Sequence, residues 1–382
     1  MIDLKLYTNR MYLLICLCIC SNFCPAQDCN AVALDAITNP GIYNVASLTE
    51  SDGIRNGPGY AGATIYYPTN ATPPYASIAI VPGYVSPQSS IQSWGPFLAS
   101  HGIVTMTIGT NSLFDNPFNR RNALLDALVT IVAENTRTGS PLIGNLDTDR
   151  MAVGGWSMGG GGAQLAAASD PTLKAVVALC PWLDTNQLTP ADLNHPVPLL
   201  IFSGQADPTA PPASHANIHY NYTPATTNKL IYEIANAGHS VANNPTGGQG
   251  DVGKIAISWL RHHLIGDSCY CPLFLEAPST ASKYMTNVVC PETTTATNDI
   301  NIESNLLFQL YPNPCSGSIN LEVKNIGHQT RYEVTSLTGV KISSGGLFNQ
   351  ITSVEVQNLP AGIYIMNVIT PLISERMKFV VE

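Results

Sequence analysis

Charge is scarce in this chain. Of its 382 residues only 11% are Asp, Glu, Lys or Arg, and 26 acidic residues outnumber 17 basic ones, for a net charge of −9. Nucleic acids and anionic bilayers are recognised largely through clustered Lys and Arg, so neither is a main partner. Long apolar runs are also missing. The most apolar stretch, "MYLLICLCIC", follows Lys5 and Arg10 and is too short to cross a bilayer. With "CPAQ" behind it, this stretch reads as a secretory leader over 1–27, cleaved near Gln27. Cys16, Cys18, Cys20 and Cys24 fall in the leader, leaving Cys29, Cys180, Cys269, Cys271, Cys290 and Cys315. An exported chain can oxidise these. Cys180 ends the apolar run "KAVVAL" and reads as a buried free thiol. A bridge from Cys271 or Cys269 to Cys290 would staple the end of the main domain, with Cys29 the candidate partner for the remaining one; spacing alone leaves the pairing open.

Short β-rich segments, "ATIYYP", "SIAIVPG", "GIVTMTI", "MAVGG", "AVVAL", "PLLIFSG" and "KLIYEI", alternate with helical patterns. In "NRRNALLDALVTIVAEN" the apolar face is Leu124, Leu125, Leu128, Ile131 and Val132; in "VGKIAISWLRHHL" it is Val252, Ile255, Ala256, Trp259 and Leu260. Strands alternating with helices predict an α/β fold, a mostly parallel sheet with helices on both faces. Sites in such sheets lie at the carboxyl ends of the strands. This domain is expected over 28–290. A Thr-rich, unpatterned linker follows over 291–306. From 307 to 382 the apolar period becomes two, as in Ile319, Leu321 and Val323, and the segment reads as a small all-β sandwich without a catalytic constellation.

The chemistry gathers around "GGWSMGGGG", residues 154–162. A short apolar strand precedes it and the helix formers "AQLAAAS" follow. In that setting G-x-S-x-G is a nucleophile elbow. Gly155 and Gly159 let strand and helix crowd together while Ser157 takes a strained backbone. A serine hydroxyl needs a base, and the base needs a third group to fix its tautomer. In this type of sheet the chain order is Ser, acid, His. His239, in the glycine-containing loop after the last strand, is the base; His101, His195, His215 and His219 read as surface or packing residues. Asp207, just past the strand "PLLIFSG", is the acid, and Asp184 reads as a loop carboxylate. Two backbone amides should receive the oxyanion: Met158, after the nucleophile, and Tyr84, in "VPGYV". No metal and no organic cofactor are called for.

Residues 40–290 resemble the bacterial cutinase-like polyester hydrolases, the group that includes poly(ethylene terephthalate) hydrolases, on the α/β-hydrolase fold. The resemblance is carried by "GATIYYPT", "SSIQSWGPFLASHGIVTMTIGTNSLFDNP", "GGWSMGGGG", "LCPWLDTN", "SGQADPTAPPASHA" and "AGHSVANN". It implies Ser157, Asp207 and His239 as the triad, Tyr84 and Met158 as oxyanion donors, and Trp182 as the aromatic residue that stacks on substrate. Read from the residues alone, Trp182 lies just past a strand end, as a site wall or as core packing. The chain departs from the family at three points. Thr209 replaces an apolar residue, Val241 is not a cysteine, and the net charge is acidic where many relatives are basic. The tail, with "LYPNPCSGSINLEV", "LPAGIYIMNV" and "MKFVVE", resembles the type A sorting domain of the type IX secretion system. That implies the secretion machinery as a partner and a cell-surface or released protein.

These features predict an exported serine carboxylic-ester hydrolase, expected to be a monomer, acting on a polymeric or lipid ester. No lid-like insertion interrupts the pattern, which favours an open cleft and polyesters over the alternatives of a triacylglycerol lipase or short-chain esterase. The non-enzyme alternative is a surface-binding protein carried out by the tail.

Overall fold

The computed structural model describes residues 33–290, 308–323, 330–336, 340–369 and 374–382. The expected leader over 1–27 and the linker over 291–306 lie outside the described residues. The chain divides into two compact units, Met1–Thr294 and Thr295–Glu382.

Among its described residues the first unit has nine strands, in chain order β1 Val45–Thr49, β2 Ala63–Pro68, β3 Tyr75–Val81, β4 Val104–Ile108, β5 Leu146–Trp156, β6 Ala175–Leu179, β7 Leu199–Gly204, β8 Lys229–Ile234 and β9 Ala281–Thr286. In space they run β1-β2-β4-β3-β5-β6-β7-β8-β9. From β4 through β8 every pairing is parallel. The edges β1, β2 and β9 are antiparallel. This is the expected α/β-hydrolase architecture. Among the described residues five α-helices accompany the sheet: α1 Trp94–Ser100, α2 Pro117–Glu134, α3 Met158–Ser169, α4 Ala216–Tyr222 and α5 Asp251–Leu260.

Both faces of the central strands are buried, which is why those segments read as continuous apolar runs rather than alternating ones. Val153, Val176, Ala178 and Ile201 meet the core that holds Leu124 and Leu128 of α2 and Ala163 and Ala166 of α3. Their neighbours Ala152, Val177, Leu179 and Phe202 meet the opposite core, with Trp94 and Leu98 of α1 and Ile255 and Trp259 of α5. The face expected for α5 is the buried one. The face expected for α2 is rotated. Ala123, Leu124, Ala127, Leu128 and Ile131 are buried, while Val132 is 37% exposed. Arg120 and Thr130 complete the stripe. Small and polar residues on the buried side therefore outweigh Leu125 and Val132. Strands β1 and β9 escaped the sequence reading because edge strands bury little; β9 has no buried residue.

Cys271 and Cys290 are bridged, which ties the last strand back to the turn after α5. Cys269 is also disulfide-bonded, and its candidate partner, Cys29, lies outside the described residues. Cys180 is buried and free, as expected, and so is Cys315.

The second unit carries two antiparallel sheets. One has the order β10 (Phe308–Tyr311), β11 (Ser318–Val323), β14 (Ile351–Glu355). The other runs β13 (Lys341–Gly346), β12 (Arg331–Ser336), β15 (Gly362–Ile369), β16 (Ser374–Val381). Ile319 and Leu321 from the first sheet share one core with Val334, Met366 and Phe379 from the second, the face-to-face packing of a sandwich.

The glycine run opening α3 looks costly for a helix, yet space requires it. A Cβ on Gly159 would lie 2.4 Å from the Val81 carbonyl oxygen of β3, and one on Gly161 would lie 2.2 Å from that of Trp182. Backbone cannot yield as a flexible side chain does. Gly159→Ala should therefore lower the stability of this unit by about 1–3 kcal/mol despite the better helix propensity of Ala. Gly238→Ala, where a Cβ meets nothing within 4 Å, should stay within about 0.5 kcal/mol of the parent. Denaturant midpoints of the two variants check this, and equal midpoints would contradict it.

Candidate active site

The carboxyl ends of β3, β5, β6, β7 and β8 lie on one edge of the parallel sheet, and their loops carry the candidate residues. Strand β5 ends at Trp156 and α3 begins at Met158, so Ser157 alone turns the corner. It does so at φ 58°, ψ −121°, a conformation that L-residues other than glycine rarely take. Three backbone bonds hold it there. Its N–H donates to Leu179 O at 2.8 Å, and its carbonyl accepts from Gly161 N at 3.1 Å and Trp182 N at 2.9 Å. The strain is thus fixed by β6 and by the first turn of α3.

His239 lies in the loop after β8. Its Nε2 is 2.8 Å from Ser157 Oγ, and its Nδ1 is 2.6 Å from Asp207 Oδ2. A carboxylate only accepts, so Nδ1 carries the proton and Nε2 is left to accept from the serine hydroxyl. The imidazole is steadied by Trp156, whose ring lies 5.2 Å away and whose indole N–H donates to the His239 carbonyl at 2.9 Å. Asp207 follows β7, and its side chain is wholly buried. Its second oxygen accepts from the amides of Thr209 at 2.8 Å and Ala210 at 2.9 Å. Burial works against its charge, but the hydrogen bonds from His239 and from these amides outweigh it, and its pKa is lowered. Asp184 is exposed and serves its own turn, accepting from Asn186 N.

The two expected oxyanion donors flank the serine. Met158 opens α3, where first-turn N–H groups have no acceptor within the helix. Tyr84 follows Gly83, and Gly83 fits so closely that a Cβ there would lie 2.8 Å from Ser157 Cβ. Trp182 is half-buried. Its ring stacks on His215 with centroids 5.8 Å apart, so a histidine expected to be a surface or packing residue supports one side of it. Thr209 is exposed and contributes its backbone to Asp207. Among the described residues, the one set of three or more metal-capable side chains is Cys180, Asp207 and His239.

Two residues were missed. Arg120 on α2 is fully buried, yet no carboxylate accepts from it. Its guanidinium donates to the carbonyls of Pro82 at 2.9 Å, Asp115 at 3.1 Å and Leu113 at 3.3 Å. Burial pulls its pKa down to about 10. It pins together the loop after β3, which carries Tyr84, and the loop before α2. That second loop exposes Phe114, 67% accessible, whose ring meets Tyr84 edge-on at 5.8 Å. Helical spacing held the signal for Arg120, which stands three, four and seven residues before Ala123, Leu124 and Ala127 on the buried stripe. Phe114 gave none, because a single aromatic in a loop fits many roles.

Known proteins resemble both parts of the chain. A family profile described as PET hydrolase-like matches residues 28–291. Another, described as a secretion system C-terminal sorting domain, matches 309–382. The chain is 37% identical over 240 residues to Cutinase est1 of Thermobifida alba, covering 61% of this chain and 76% of that protein. It is 36% identical over 246 residues to the bis(hydroxyethyl) terephthalate hydrolase of Streptomyces coelicolor, covering 63% and 74%. With Cutinase 1 of Thermobifida cellulosilytica the identity is 36% over 236 residues, covering 62% and 83%.

Arg120→Met would leave the carbonyls of Pro82 and Asp115 without their donor and Leu113 O with Val85 N alone, and so loosen the Tyr84 loop. With Tyr84 as the oxyanion donor expected from the sequence, whose removal would cost about 10²–10³ in kcat, loosening it should cost part of that, roughly ten- to a hundredfold. KM for a small soluble ester should change little, because that substrate does not need the loop to bind. Arg120→Lys, with one point of donation, should fall between. Steady-state kinetics beside melting curves check this, and a folded Arg120→Met with unchanged kcat would contradict it.

Proposed function

The chain belongs to the PET hydrolase-like family and is a carboxylic-ester hydrolase, and on that premise we propose that it cleaves polyesters, aliphatic and aromatic, through an acyl-enzyme on Ser157. Its tail is a type IX secretion sorting domain, which directs the protein to the cell surface or beyond; there a polymer too large to enter a cell is within reach. The domain limits follow the same reading: a leader over 1–27, the catalytic domain over 28–290, a linker over 291–306 and the sorting domain over 307–382.

One observation carries the mechanism: the unbroken line Asp207–His239–Ser157, with contacts of 2.6 and 2.8 Å, ending on a serine held at positive φ. In this reading the Ser157 oxygen attacks the ester carbonyl while its proton passes to His239 Nε2. Asp207 steadies the imidazolium by accepting from Nδ1 and stays ionised. The amides of Tyr84 and Met158 receive the developing oxyanion. The imidazolium returns its proton to the departing alkoxy group, and an ester now joins the acyl part to Ser157. Water, deprotonated by the same imidazole, then releases the acid and restores the serine.

The bis(hydroxyethyl) terephthalate hydrolase among the relatives supports an aromatic acyl part. So does the rim of the site, where Trp182, Tyr84 and Phe114 offer partly or largely exposed rings. A lipase or short-chain esterase would use the same triad; the exposed aromatic rim favours a flat, repeating substrate.

Ser157→Ala should lower kcat on p-nitrophenyl esters by roughly 10⁴-fold or more, leaving the residual rate of binding and the oxyanion hole. Near-parental turnover would overturn the reading. For substrate class, product release from terephthalate and aliphatic polyester films is compared with that from triglycerides, using Ser157→Ala as the blank.

Stacking on an aromatic ring is worth about 0.5–1.5 kcal/mol beyond area burial. Trp182→Ala should therefore reduce aromatic polyester hydrolysis roughly two- to tenfold more than hydrolysis of a short aliphatic ester. A large drop in melting temperature with equal losses on both substrates would show a packing role instead.

A further inference from the structure

We propose that Cys180, His239 and Asp207 form a site for a thiophilic divalent cation of the Zn²⁺ or Cd²⁺ class, and that occupancy switches catalysis off. The sulfur, a ring nitrogen and a carboxylate oxygen all lie within 4.8 Å of one another. Thiolate, imidazole and carboxylate are the donors that zinc takes, and the sulfur selects soft cations over Mg²⁺ and Ca²⁺. Metal–ligand bonds of about 2.0–2.3 Å in a tetrahedron set neighbouring donors about 3.3–3.8 Å apart. To reach that spacing, Nδ1 and the carboxylate oxygen, now 2.6 Å apart, would open by under about 1.5 Å, and the sulfur lies within 4.8 Å of both.

Local structure explains why a thiol stands there. Cys180 is the residue after β6, next but one to Trp182. It turns the chain at φ 46°, and its N–H donates to Phe202 O at 2.8 Å on β7. That corner brings the sulfur within 4.8 Å of the Asp207–His239 pair. Ester hydrolysis as derived above has no use for it. Charge favours the site too. A dication between a thiolate and a carboxylate leaves no net charge in a place where the Asp207 side chain has no exposure, which limits the desolvation cost.

The consequence for the base follows from which nitrogen is taken. Nδ1 faces Asp207 and Nε2 faces Ser157, so a cation shared with the carboxylate takes Nδ1. Two bonds to hydrogen must break. The thiol proton leaves to solvent, and the Nδ1 proton is displaced. The neutral imidazole then carries its hydrogen on Nε2. One proton is released per cation, and no electrons are transferred. With Nε2 now a donor, the ring cannot accept the Ser157 proton, and the nucleophile is not activated. Entry is narrow: Cys180 is 1% exposed and the His239 side chain 14%. Inhibition should therefore set in slowly and be reversed slowly by a chelator.

The test uses the full chain, with Cd²⁺ as probe and Ca²⁺ as control. When Cd²⁺ slows the parent by about tenfold, Cys180→Ala should keep at least roughly half of its own metal-free rate, because soft-metal affinity here rests on the sulfur. Cys180→Ser, closer in size, should behave alike if the alanine variant folds poorly. Cys315→Ser should remain sensitive. Binding is read separately in the Ser157→Ala, Cys315→Ser background, where Cd²⁺ should raise a thiolate-to-cadmium charge-transfer absorption, and the part of it that rests on Cys180 should disappear with Cys180→Ala. The site is overturned if parent and Cys180→Ala are inhibited alike, if that difference absorption is absent, or if Cys315→Ser gives the protection. Only the inhibition arm rests on reading His239 as the base. Cys180-dependent binding with no loss of rate would overturn the switch alone, whereas a His239→Ala variant that keeps the parental rate would overturn the reading of His239 as the base.

Discussion

Everything at the site depends on one residue's backbone. Ser157 joins the end of β5 to the start of α3 with no loop between them, and only a positive φ makes that turn. Such a conformation costs of order 1–3 kcal/mol, so neighbours must hold it. Bonds to Leu179, Gly161 and Trp182 do so. They also carry a geometric price, because strand, helix and the following loop must all come within hydrogen-bonding reach of one residue. Side chains at Gly155 and Gly159 would fill that space with atoms that already collide with backbone. The glycine run that looked like poor helix design is what allows α3 to start where it does.

The parallel sheet supplies the rest. Because β3 and β5 through β8 point the same way, their carboxyl ends bring the candidates for oxyanion loop, nucleophile, aromatic wall, acid and base to one edge, although these are spread from Tyr84 to His239. Each is then fixed by a different means. Asp207 is held by two amides and a buried setting. His239 is held by Asp207 and by Trp156. The Tyr84 loop is held from below by a buried guanidinium that meets only carbonyls. Arg suits that task, since its planar fork reaches three acceptors at once.

Much of this was legible in the sequence. The parallel strands, the elbow and the Ser–Asp–His order could be read because they are local patterns or follow from chain order, and the serine, aspartate and histidine so chosen lie in one hydrogen-bonded line. What escaped was decided by packing. The buried stripe of α2 follows Ala123, Ala127 and Arg120 rather than the larger Leu125 and Val132, because α2 packs against the glycine-rich α3 and close approach favours small residues. Edge strands β1 and β9 lack the continuous apolar runs of the centre. The stacking of His215 on Trp182 and the nearness of Cys180 to the Asp207–His239 pair are meetings of side chains from separate loops, and no spacing along the chain encodes them.

The central claim is that Ser157, activated by His239, is the atom that becomes acylated. A phosphonate ester with a p-nitrophenol leaving group tests it, since it reacts with the activated serine and stays attached. After incubation of the full chain, digestion and mass spectrometry should find one phosphonyl group, on the peptide that contains Ser157, with loss of activity in step with labelling. His239→Ala should remain essentially unlabelled. A label on another residue, or full inactivation with Ser157 unmodified, would contradict the account.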